Sequence, residues 1–316
     1  MSPEKGGPEF THIPVVDLAT RDEAALIGQF EAAYAISGFG YLINHGIDQT
    51  LIDAVFEASR RFHAMPMADK QRIAVNRSHR GYIALGSSTD VTTDLATVTK
   101  PNQSASFMMM REDAAADPAV YLSGPNQWPD LPDFRPVLET YHSAMCQLGQ
   151  RMMALALRAA GAELDFLDAF EPPTTWLRLL HYPPRPPEAA ADLYGSAPHR
   201  DFGCLTFLAQ DPVGGLQVQT PQGAWVDAPY RPGSFVMNVG DMLHRLSNGH
   251  LRSTPHRVIN RSGQSRYSVP FFYDPHVSAE IAPLPGTGAP RFEPLNFGAF
   301  LRAELEAGYE AHKPGT

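Results

Sequence analysis

Residues 199–219, with the sequence HRDFGCLTFLAQDPVGGLQVQ, contain two short apolar runs separated by residues that are typical of turns. The runs Leu205–Ala209 and Leu216–Gln219 have the length and composition of β-strands, whereas Asp211-Pro212 and Gly214-Gly215 interrupt regular structure. Short strands with turns between them are typical of a β-sandwich or a β-barrel. This stretch therefore predicts a β-rich fold.

The same pattern extends on both sides of this stretch. Five further segments have the length and composition of strands: Trp176–Tyr182, Ala224–Val226, Ser234–Val239, His256–Asn260 and Tyr267–Tyr273. Short clusters of proline, glycine and serine lie between several of them and supply turns. We therefore predict that the C-terminal half of the chain is mostly β.

The N-terminal half shows helical periodicity instead. Apolar residues recur at helical spacing in three segments, Asp22–Ile36, Asp48–His63 and Phe134 to about Phe166, and a strand is predicted at Phe39–Ile43. The longest of these segments carries several methionines on its apolar stripe, which we interpret as core packing. Helices therefore precede, and are expected to flank, the β-rich region.

Residues 76–130 have no clear periodicity and are rich in glycine, serine, asparagine and aspartate, which predicts long loops. Loops of this length in a compact domain are usually functional, so they are candidates for a lid. The pattern as a whole predicts an α/β region at residues 1–130, a long connecting helix at 131–170 and a β-rich core at 171–316.

The composition of the chain indicates which kinds of molecule it is expected to bind. The formal net charge of −9 argues against nucleic acid, because phosphate binding depends on clustered basic residues, and a small-molecule ligand is expected instead. Cys146 and Cys204, the two cysteines, are too few for a disulfide framework and are interpreted as buried thiols. Nothing in the sequence indicates an obligatory protein partner.

No targeting or membrane segment is evident in the sequence. The N-terminal residues MSPEKGGPEF lack the basic start and the apolar run of a signal peptide. The chain also contains no run of about 18 apolar residues, the length that a transmembrane helix needs. A cytoplasmic location is therefore expected.

Two potential metal ligands open the stretch quoted above. His199 and Asp201 lie two residues apart, and residues with this spacing on a strand point to the same side of the sheet. A composition of 12 histidines and 34 acidic residues in 316 positions would supply about one such pair by chance. His256, at the start of a predicted strand, completes the two imidazoles and one carboxylate that non-haem Fe(II) sites use.

A potential anion site follows these three residues. Arg266 and Ser268 also lie two residues apart on a predicted strand, ten and twelve residues after His256. A guanidinium group and a hydroxyl on the same side of a strand can bind one carboxylate together. The ordered spacing of the five residues therefore predicts a metal site beside a carboxylate-binding site.

These motifs resemble the isopenicillin N synthase-like family of Fe(II)/2-oxoglutarate-dependent dioxygenases, whose signature is His-x-Asp, a distal His and Arg-x-Ser. In the C-terminal half the resemblance extends over HRDFGCLTFLAQD, GGLQVQ, WVDAPYRPGSFVMNVGD, LSNG, STPHRVIN and RYSVPFFYDP. In the N-terminal half it includes IPVVDL, GFGYLINHGI, Arg80–Tyr82 and GPNQWP. It implies a double-stranded β-helix, or jelly roll, with flanking helices, an α/β N-terminal region and a C-terminal helix.

The resemblance also implies roles for individual residues. His199, Asp201 and His256 would bind Fe(II), while 2-oxoglutarate and O2 would be the co-substrates. Arg266, Ser268 and Tyr182 would bind 2-oxoglutarate, although Leu180 stands where the family usually has asparagine. Five residues are candidates for substrate contact, namely Arg80, Tyr82, Phe107, Phe202 and Phe272. The expected reaction is hydroxylation or desaturation at a C–H bond of a small molecule.

Other activities remain open from the sequence alone. Oxidases of the isopenicillin N synthase type keep the same metal and Arg-x-Ser motifs without using 2-oxoglutarate, and ethylene-forming enzymes are a further alternative within the family. An inactive relative that only binds a ligand is a more remote alternative. A zinc hydrolase also uses two histidines and a carboxylate, but it has no need of the Arg-x-Ser pair.

Overall fold

The computed structural model describes residues 10–88, 95, 98, 100–186, 188–190, 192–309 and 312 of the chain. The strands are β1 (Val15–Asp17), β2 (Phe39–Ile43), β3 (Gly81–Ile83), β4 (Ala105–Met110), β5 (Thr174–Tyr182), β6 (Ser196–His199), β7 (Leu205–Gln210), β8 (Leu216–Gln219), β9 (Trp225–Asp227), β10 (Ser234–Val239), β11 (His256–Val258), β12 (Arg266–Asp274), β13 (Glu280–Ile281) and β14 (Leu295–Asn296). The helices are α1 (Glu23–Tyr34), α2 (Gln49–Ala64), α3 (Met67–Gln71), α4 (Phe134–Ala159), α5 (Asp241–Leu246) and α6 (Phe297–Gly308), and a 3-10 helix spans Leu164–Phe170.

Two sheets enclose the central cavity. The larger sheet has eight strands in the order β1-β2-β10-β7-β12-β5-β4-β3, and the smaller sheet has the order β6-β11-β8-β9. All neighbours are antiparallel except β1 and β2. Side chains of both sheets line the cavity, so it lies between them. The mostly β fold with flanking helices is thus confirmed, as is the jelly roll.

Helices α1, α2 and α4 cover the outer face of the larger sheet, whereas side chains of α6 line the cavity. Helix α1 begins where the side chain of Asp22 accepts a hydrogen bond from the Ala25 amide, and Asp48 caps α2 in the same way. Helix α2 packs against β5 and β12, and α4 packs against β12. The methionines of α4, including Met145 and Met152, are fully buried in this interface, which confirms that its apolar stripe is core.

Most of the predicted elements are present, with shifted ends. The predicted helices that began at Asp22 and Asp48 begin one residue later, because these residues are their caps. Helix α4 ends at Ala159, before the predicted end near Phe166, since Gly161 adopts a left-handed conformation with φ +72°. Helix α6 confirms the expected C-terminal helix.

Two strands lie inside the segment that was predicted to be loops, so that prediction was wrong in part. Strands β3 and β4 extend the larger sheet beyond β5. Strand β4 has the sequence ASFMMM and is buried on both faces, so it shows no alternation of polar and apolar residues. Residues 89–94, in the same segment, lie outside the described residues.

The three-part division of the chain stays a prediction, since the helices and the β-rich region share one large core. The N-terminal residues 1–9, on which the expected absence of a signal peptide depends, lie outside the part that the structure describes. Among the described residues, no helix combines the length and the apolar character needed to cross a membrane.

Candidate active site

The two histidines of the predicted metal site lie opposite each other on neighbouring strands. His199 is the last residue of β6, His256 is the first residue of β11, and the antiparallel pairing places them directly across from each other. Their ring centroids are 4.2 Å apart. Strand pairing in the smaller sheet therefore brings together two histidines, His199 and His256, that are far apart in the sequence.

Each histidine is oriented by a main-chain carbonyl two residues earlier. The Nδ1 atom of His199 is 2.7 Å from the Ala197 oxygen, and Nδ1 of His256 is 3.3 Å from the Thr254 oxygen. A hydrogen bond to a carbonyl places the ring proton on Nδ1, so the Nε2 lone pair is available for a metal. Both Nε2 atoms point towards Asp201.

Asp201 lies in the connection between β6 and β7, not on a strand. The expectation that His199 and Asp201 share a strand face was therefore wrong, although the two side chains do converge. Oδ1 of Asp201 is 3.6 Å from Nε2 of each histidine. The three potential ligand atoms all lie within 4.8 Å of one another, which places them around one point.

The other oxygen of Asp201 is held by two hydrogen bonds. Thr206 on β7 donates its hydroxyl to Oδ2 at 2.5 Å, and Asn238 on β10 donates its side-chain amide to the same atom at 2.8 Å. Burial alone would raise the pKa of Asp201, but the rings of His256 and His199 and these two hydrogen bonds hold it below its usual value. The carboxylate is therefore ionised and oriented before any metal binds.

Close backbone packing fixes the connection that carries Asp201. A side chain at Gly203 would overlap the carboxylate of Asp274, and a Cβ at Gly240 would lie 2.3 Å from the Gly203 oxygen. The Cys204 main-chain amide donates to the Asp274 carboxylate at 2.6 Å, and the Asp241 main-chain amide donates to the main-chain oxygen of Asp201 at 2.8 Å. Only glycine fits at these two positions without displacing the carboxylate ligand.

Substitution at Thr206 tests how much this orientation contributes. Thr206→Val removes the hydroxyl and keeps the shape, so Fe(II) affinity should fall about 10- to 100-fold, the usual effect of losing a partner behind a metal ligand. The matched control is Thr206→Ser, which keeps the hydroxyl and should bind Fe(II) as the unmodified protein does. Dissociation constants can be measured by anaerobic titration, and equal values for both variants would contradict this role.

The predicted carboxylate site lies at the end of β12 that pairs with the end of β5. Arg266 is fully buried and donates to the Ser268 hydroxyl at 3.2 Å and to the Gln210 side-chain oxygen at 3.1 Å. Its guanidinium carbon lies 4.7 Å from the ring centroid of Tyr182, the residue paired with Arg266 across the strands. The structure thus brings Tyr182, Ser268 and Arg266 together, and Gln210 joins them.

Arg266 has unused hydrogen-bonding capacity. Its Nε atom is buried and has no hydrogen-bond partner among the described residues, and its two described acceptors are both neutral oxygens. Arg266 acts electrostatically on Asp211 but forms no ion pair among the described residues. A buried guanidinium without a directly bound carboxylate is energetically costly, so this site favours an anionic ligand. Arg266, Ser268 and the three metal-site residues line the same cavity.

The cavity has a volume of about 380 Å³. Phe202 and Phe272, two of the predicted substrate contacts, are half-buried and line it, together with Leu208 and Pro270. Polar and charged side chains are as numerous in the lining as apolar ones. A cavity of this size that offers both kinds of group can hold a small organic molecule. The space is therefore suited to an organic ligand beside the metal site.

The other three predicted substrate contacts do not line this cavity, and we correct that interpretation. Arg80 is only 1% exposed and donates to the main-chain oxygens of Ser78, Leu122 and Arg111, so it stabilises loops. Tyr82 and Phe107 pack around Phe62 in the core between α2 and the larger sheet. Both side chains are buried there, so they contribute to the core and not to the cavity wall.

Sequence reasoning missed several residues of the site. Thr206 and Gln210 lie on the cavity side of β7, Asn238 lies on β10, and Arg178 lies on β5. Period-two alternation along β7 puts Thr206 and Gln210 on one face, which is the available signal. Which face meets the metal ligands depends on strand pairing, and this is not visible in a local pattern.

A jelly roll with two histidines, one carboxylate and an adjacent anion site defines a non-haem iron oxygenase. Residues 173–275 match the 2OG-Fe(II) oxygenase superfamily, and residues 13–131 match the N-terminal region described as non-haem dioxygenase in morphine synthesis. The chain belongs to the 2OG-Fe(II) oxygenase superfamily, and it is an oxidoreductase that uses Fe(II) and 2-oxoglutarate.

Individual relatives support this assignment over most of the chain. The 2-oxoglutarate-Fe(II) type oxidoreductase hxnY of Emericella nidulans is 33% identical over 312 residues, covering 92% of this chain and 88% of the relative. A full-length Neurospora crassa protein in complex with alpha-KG and thymine superposes with a TM-score of 0.81, at 29% identity over 93% of this chain and 96% of that one. JOX2 in complex with 2OG, Fe and JA gives a TM-score of 0.78, at 27% identity over 95% of this chain and 90% of that one.

The residues of the site fit both Fe(II) and 2-oxoglutarate. Two imidazoles and one carboxylate around one point suit Fe(II) and leave coordination positions open, and these are the one cluster of three or more potential ligands found among the described residues. The unpartnered Nε of Arg266 suits a carboxylate of 2-oxoglutarate.

Proposed function

We propose that His199, Asp201 and His256 bind Fe(II), that Arg266, Ser268 and Tyr182 bind 2-oxoglutarate, and that the enzyme oxidises a C–H bond of a small molecule. Hydroxylation or desaturation is the proposed outcome. The observation that carries the proposal is that the three potential metal ligands line one cavity with Arg266, which is buried and hydrogen-bonded to neutral oxygens. The family relatives that bind alpha-KG beside thymine, or 2OG and Fe beside JA, are consistent with it.

The bound groups would supply O2 activation coupled to oxidative decarboxylation of 2-oxoglutarate to succinate and CO2, which drives substrate oxidation. The protein residues position these groups. His199 and His256 present Nε2 because their Nδ1 atoms are engaged by carbonyls, and Asp201 presents Oδ1 because Oδ2 is engaged by its two donors. Apolar walls, including Phe202, exclude water from the reacting centre.

Arg266 would neutralise the distal carboxylate of 2-oxoglutarate and fix the direction of the molecule. Ser268 and the Tyr182 ring restrict where that carboxylate lies. Leu180, at the position where the family usually carries asparagine, is buried and lines the same cavity. Binding of the co-substrate in this chain would therefore depend more heavily on Arg266 than on polar contacts from β5.

Anaerobic reconstitution tests the proposal. Fe(II) and 2-oxoglutarate added to the metal-free protein should produce the weak metal-to-ligand charge-transfer absorption of their chelate, and admitting air should release succinate. Fe(II) binding without the band and without succinate would contradict the role of 2-oxoglutarate and favour an oxidase of the isopenicillin N synthase type. The zinc-loaded protein is the control, because it cannot give the band.

We also propose that the enzyme works in the cytoplasm on a freely diffusing small molecule, without an obligatory protein partner. Two free cysteines, one of them buried, and a cavity formed within one chain support this. Cell fractionation with an antibody against the protein tests the location. Full activity of the purified chain would support independence from a partner, and recovery of activity only with a second protein would contradict it.

A further inference from the structure

Two arginines besides Arg266 line the cavity. Arg200 lies next to Asp201 and its charge acts on the Asp241 carboxylate, whereas Arg178 lies on the same strand as Tyr182. Trp176, Arg178, Leu180 and Tyr182 alternate along β5, and all four line the cavity. At a rise of about 3.3 Å per residue, Arg178 lies about 13 Å along the strand from Tyr182. Arg178 is therefore well separated from the end of β5 that pairs with Arg266.

The guanidinium of Arg178 is held in place by neutral groups. It donates to the Ser106 hydroxyl on β4 at 3.0 Å and to the Tyr309 hydroxyl, just after α6, at 3.4 Å. Its Nε atom is buried and has no hydrogen-bond partner among the described residues. Five N–H groups therefore meet two neutral oxygens, and the positive charge is oriented without being neutralised.

Acidic side chains also line this cavity, but Arg178 forms no ion pair within the described part of the chain. Asp201 faces the two metal-site histidines, and Asp274 accepts a hydrogen bond from the Cys204 amide. Asp241 and, on α6, Glu304 also line the cavity, and neither is in ion-pair contact with Arg178. An arginine held by neutral oxygens, half-buried at the wall of a ligand cavity, favours an anion supplied by the ligand.

Apolar and aromatic side chains lie beside Arg178 in the cavity wall. Met108 is paired across the strands with Arg178, and Trp176 and Phe300 line the same cavity. His79, which also lines it, packs on Trp176 and Tyr309, and burial holds its pKa well below the usual value. His79 is therefore uncharged at neutral pH and does not compete for an anion.

We infer that the prime substrate is a small carboxylic acid with an apolar body, and that Arg178 binds its carboxylate and thereby determines specificity. This inference rests on the proposed function, in which Arg266 and the metal take the two ends of 2-oxoglutarate and leave Arg178 for the substrate. A carboxylate at Arg178 would direct the apolar body along the cavity towards the metal-site residues.

Matched acids and amides test the inference. The probes are phenylacetate, 3-phenylpropionate and 5-phenylpentanoate, each compared with its uncharged primary amide. Dissociation constants come from the change that each probe causes in the absorption of the anaerobic Fe(II)–2-oxoglutarate complex, and from the thermal shift of the metal-free protein. At least one acid should bind about 10- to 100-fold more tightly than its amide, the range expected for hydrogen bonds to a charged group.

Two variants assign this preference to Arg178. In Arg178→Gln the acid and the amide should bind equally, whereas Arg178→Lys should retain part of the preference because it keeps the charge. The dissociation constant of 2-oxoglutarate should be unchanged in both variants, which also shows that they are folded.

The contrary outcomes are distinct. The inference is overturned if no acid in the panel binds, if amides bind as well as acids to the unmodified protein, or if Arg178→Gln keeps the preference. If the protein forms no complex with Fe(II) and 2-oxoglutarate, the proposed function is contradicted instead. The thermal shift of the metal-free protein would still report on acid binding in that case.

Discussion

The variant His199→Ala is expected to lose Fe(II) binding and, with it, succinate production. His199 and His256 are cross-strand neighbours whose Nε2 atoms both lie 3.6 Å from Asp201 Oδ1, so removing one imidazole leaves only two ligands around that point. Loss of a group behind a ligand already lowers metal affinity about 10- to 100-fold, so loss of the ligand itself should exceed about 100-fold.

A surface histidine provides the matched control for this experiment. His250 is exposed and lies 3.1 Å from Glu31, and His250→Ala should bind Fe(II) and release succinate as the unmodified protein does. Bound iron can be measured by anaerobic titration and by metal analysis after gel filtration. Stoichiometric iron in His199→Ala, with the fold intact by circular dichroism, would exclude this residue as a ligand.

The variant Arg266→Met should keep Fe(II) and lose affinity for 2-oxoglutarate. Arg266 is fully buried, and its described hydrogen-bond acceptors are neutral, so the co-substrate carboxylate would be the partner that its charge requires. Truncating one side of a buried charge pair costs about 2 to 5 kcal/mol, which corresponds to a loss of about 30-fold to several thousandfold. The charge-transfer band, titrated with 2-oxoglutarate, measures this loss.

Arg80→Met is the matched control, because Arg80 is equally buried but lies outside the cavity. It should reduce the free energy of unfolding, since three main-chain oxygens lose their donor, while the affinity for 2-oxoglutarate stays unchanged. If Arg266→Met lost iron to the same degree as His199→Ala, the separation of metal and co-substrate sites would be wrong.

Much of the fold was predictable from local patterns. Strand β7 and strand β12 were predicted almost to their ends, because short apolar runs between turn residues are local signals. Strand β4 was not predicted, because a strand buried on both faces has no alternation to detect. Strand β6, with the sequence SAPH, contains a proline and is short, so its composition gave no strand signal.

The site was also predictable in part. The order His199, Asp201, His256, Arg266 and Ser268 carried enough information to predict a metal site and an anion site. The roles of Thr206 and Asn238 were not predictable, because each meets Asp201 only after β7 and β10 pair in the larger sheet. For the same reason, Arg80 looked like a substrate contact in sequence, whereas its side chain is turned towards main-chain oxygens.

The sequence by itself determined the β-rich class, the set of metal-binding residue types and the Arg-x-Ser pair, because composition and spacing act over a few residues. Only the tertiary structure decided that His199 faces His256 across two strands, that Asp201 reaches them from a connection, and that Arg178 lines the same cavity. These relations depend on pairing and packing between segments far apart in the chain, and the free energy of those contacts has no local signature.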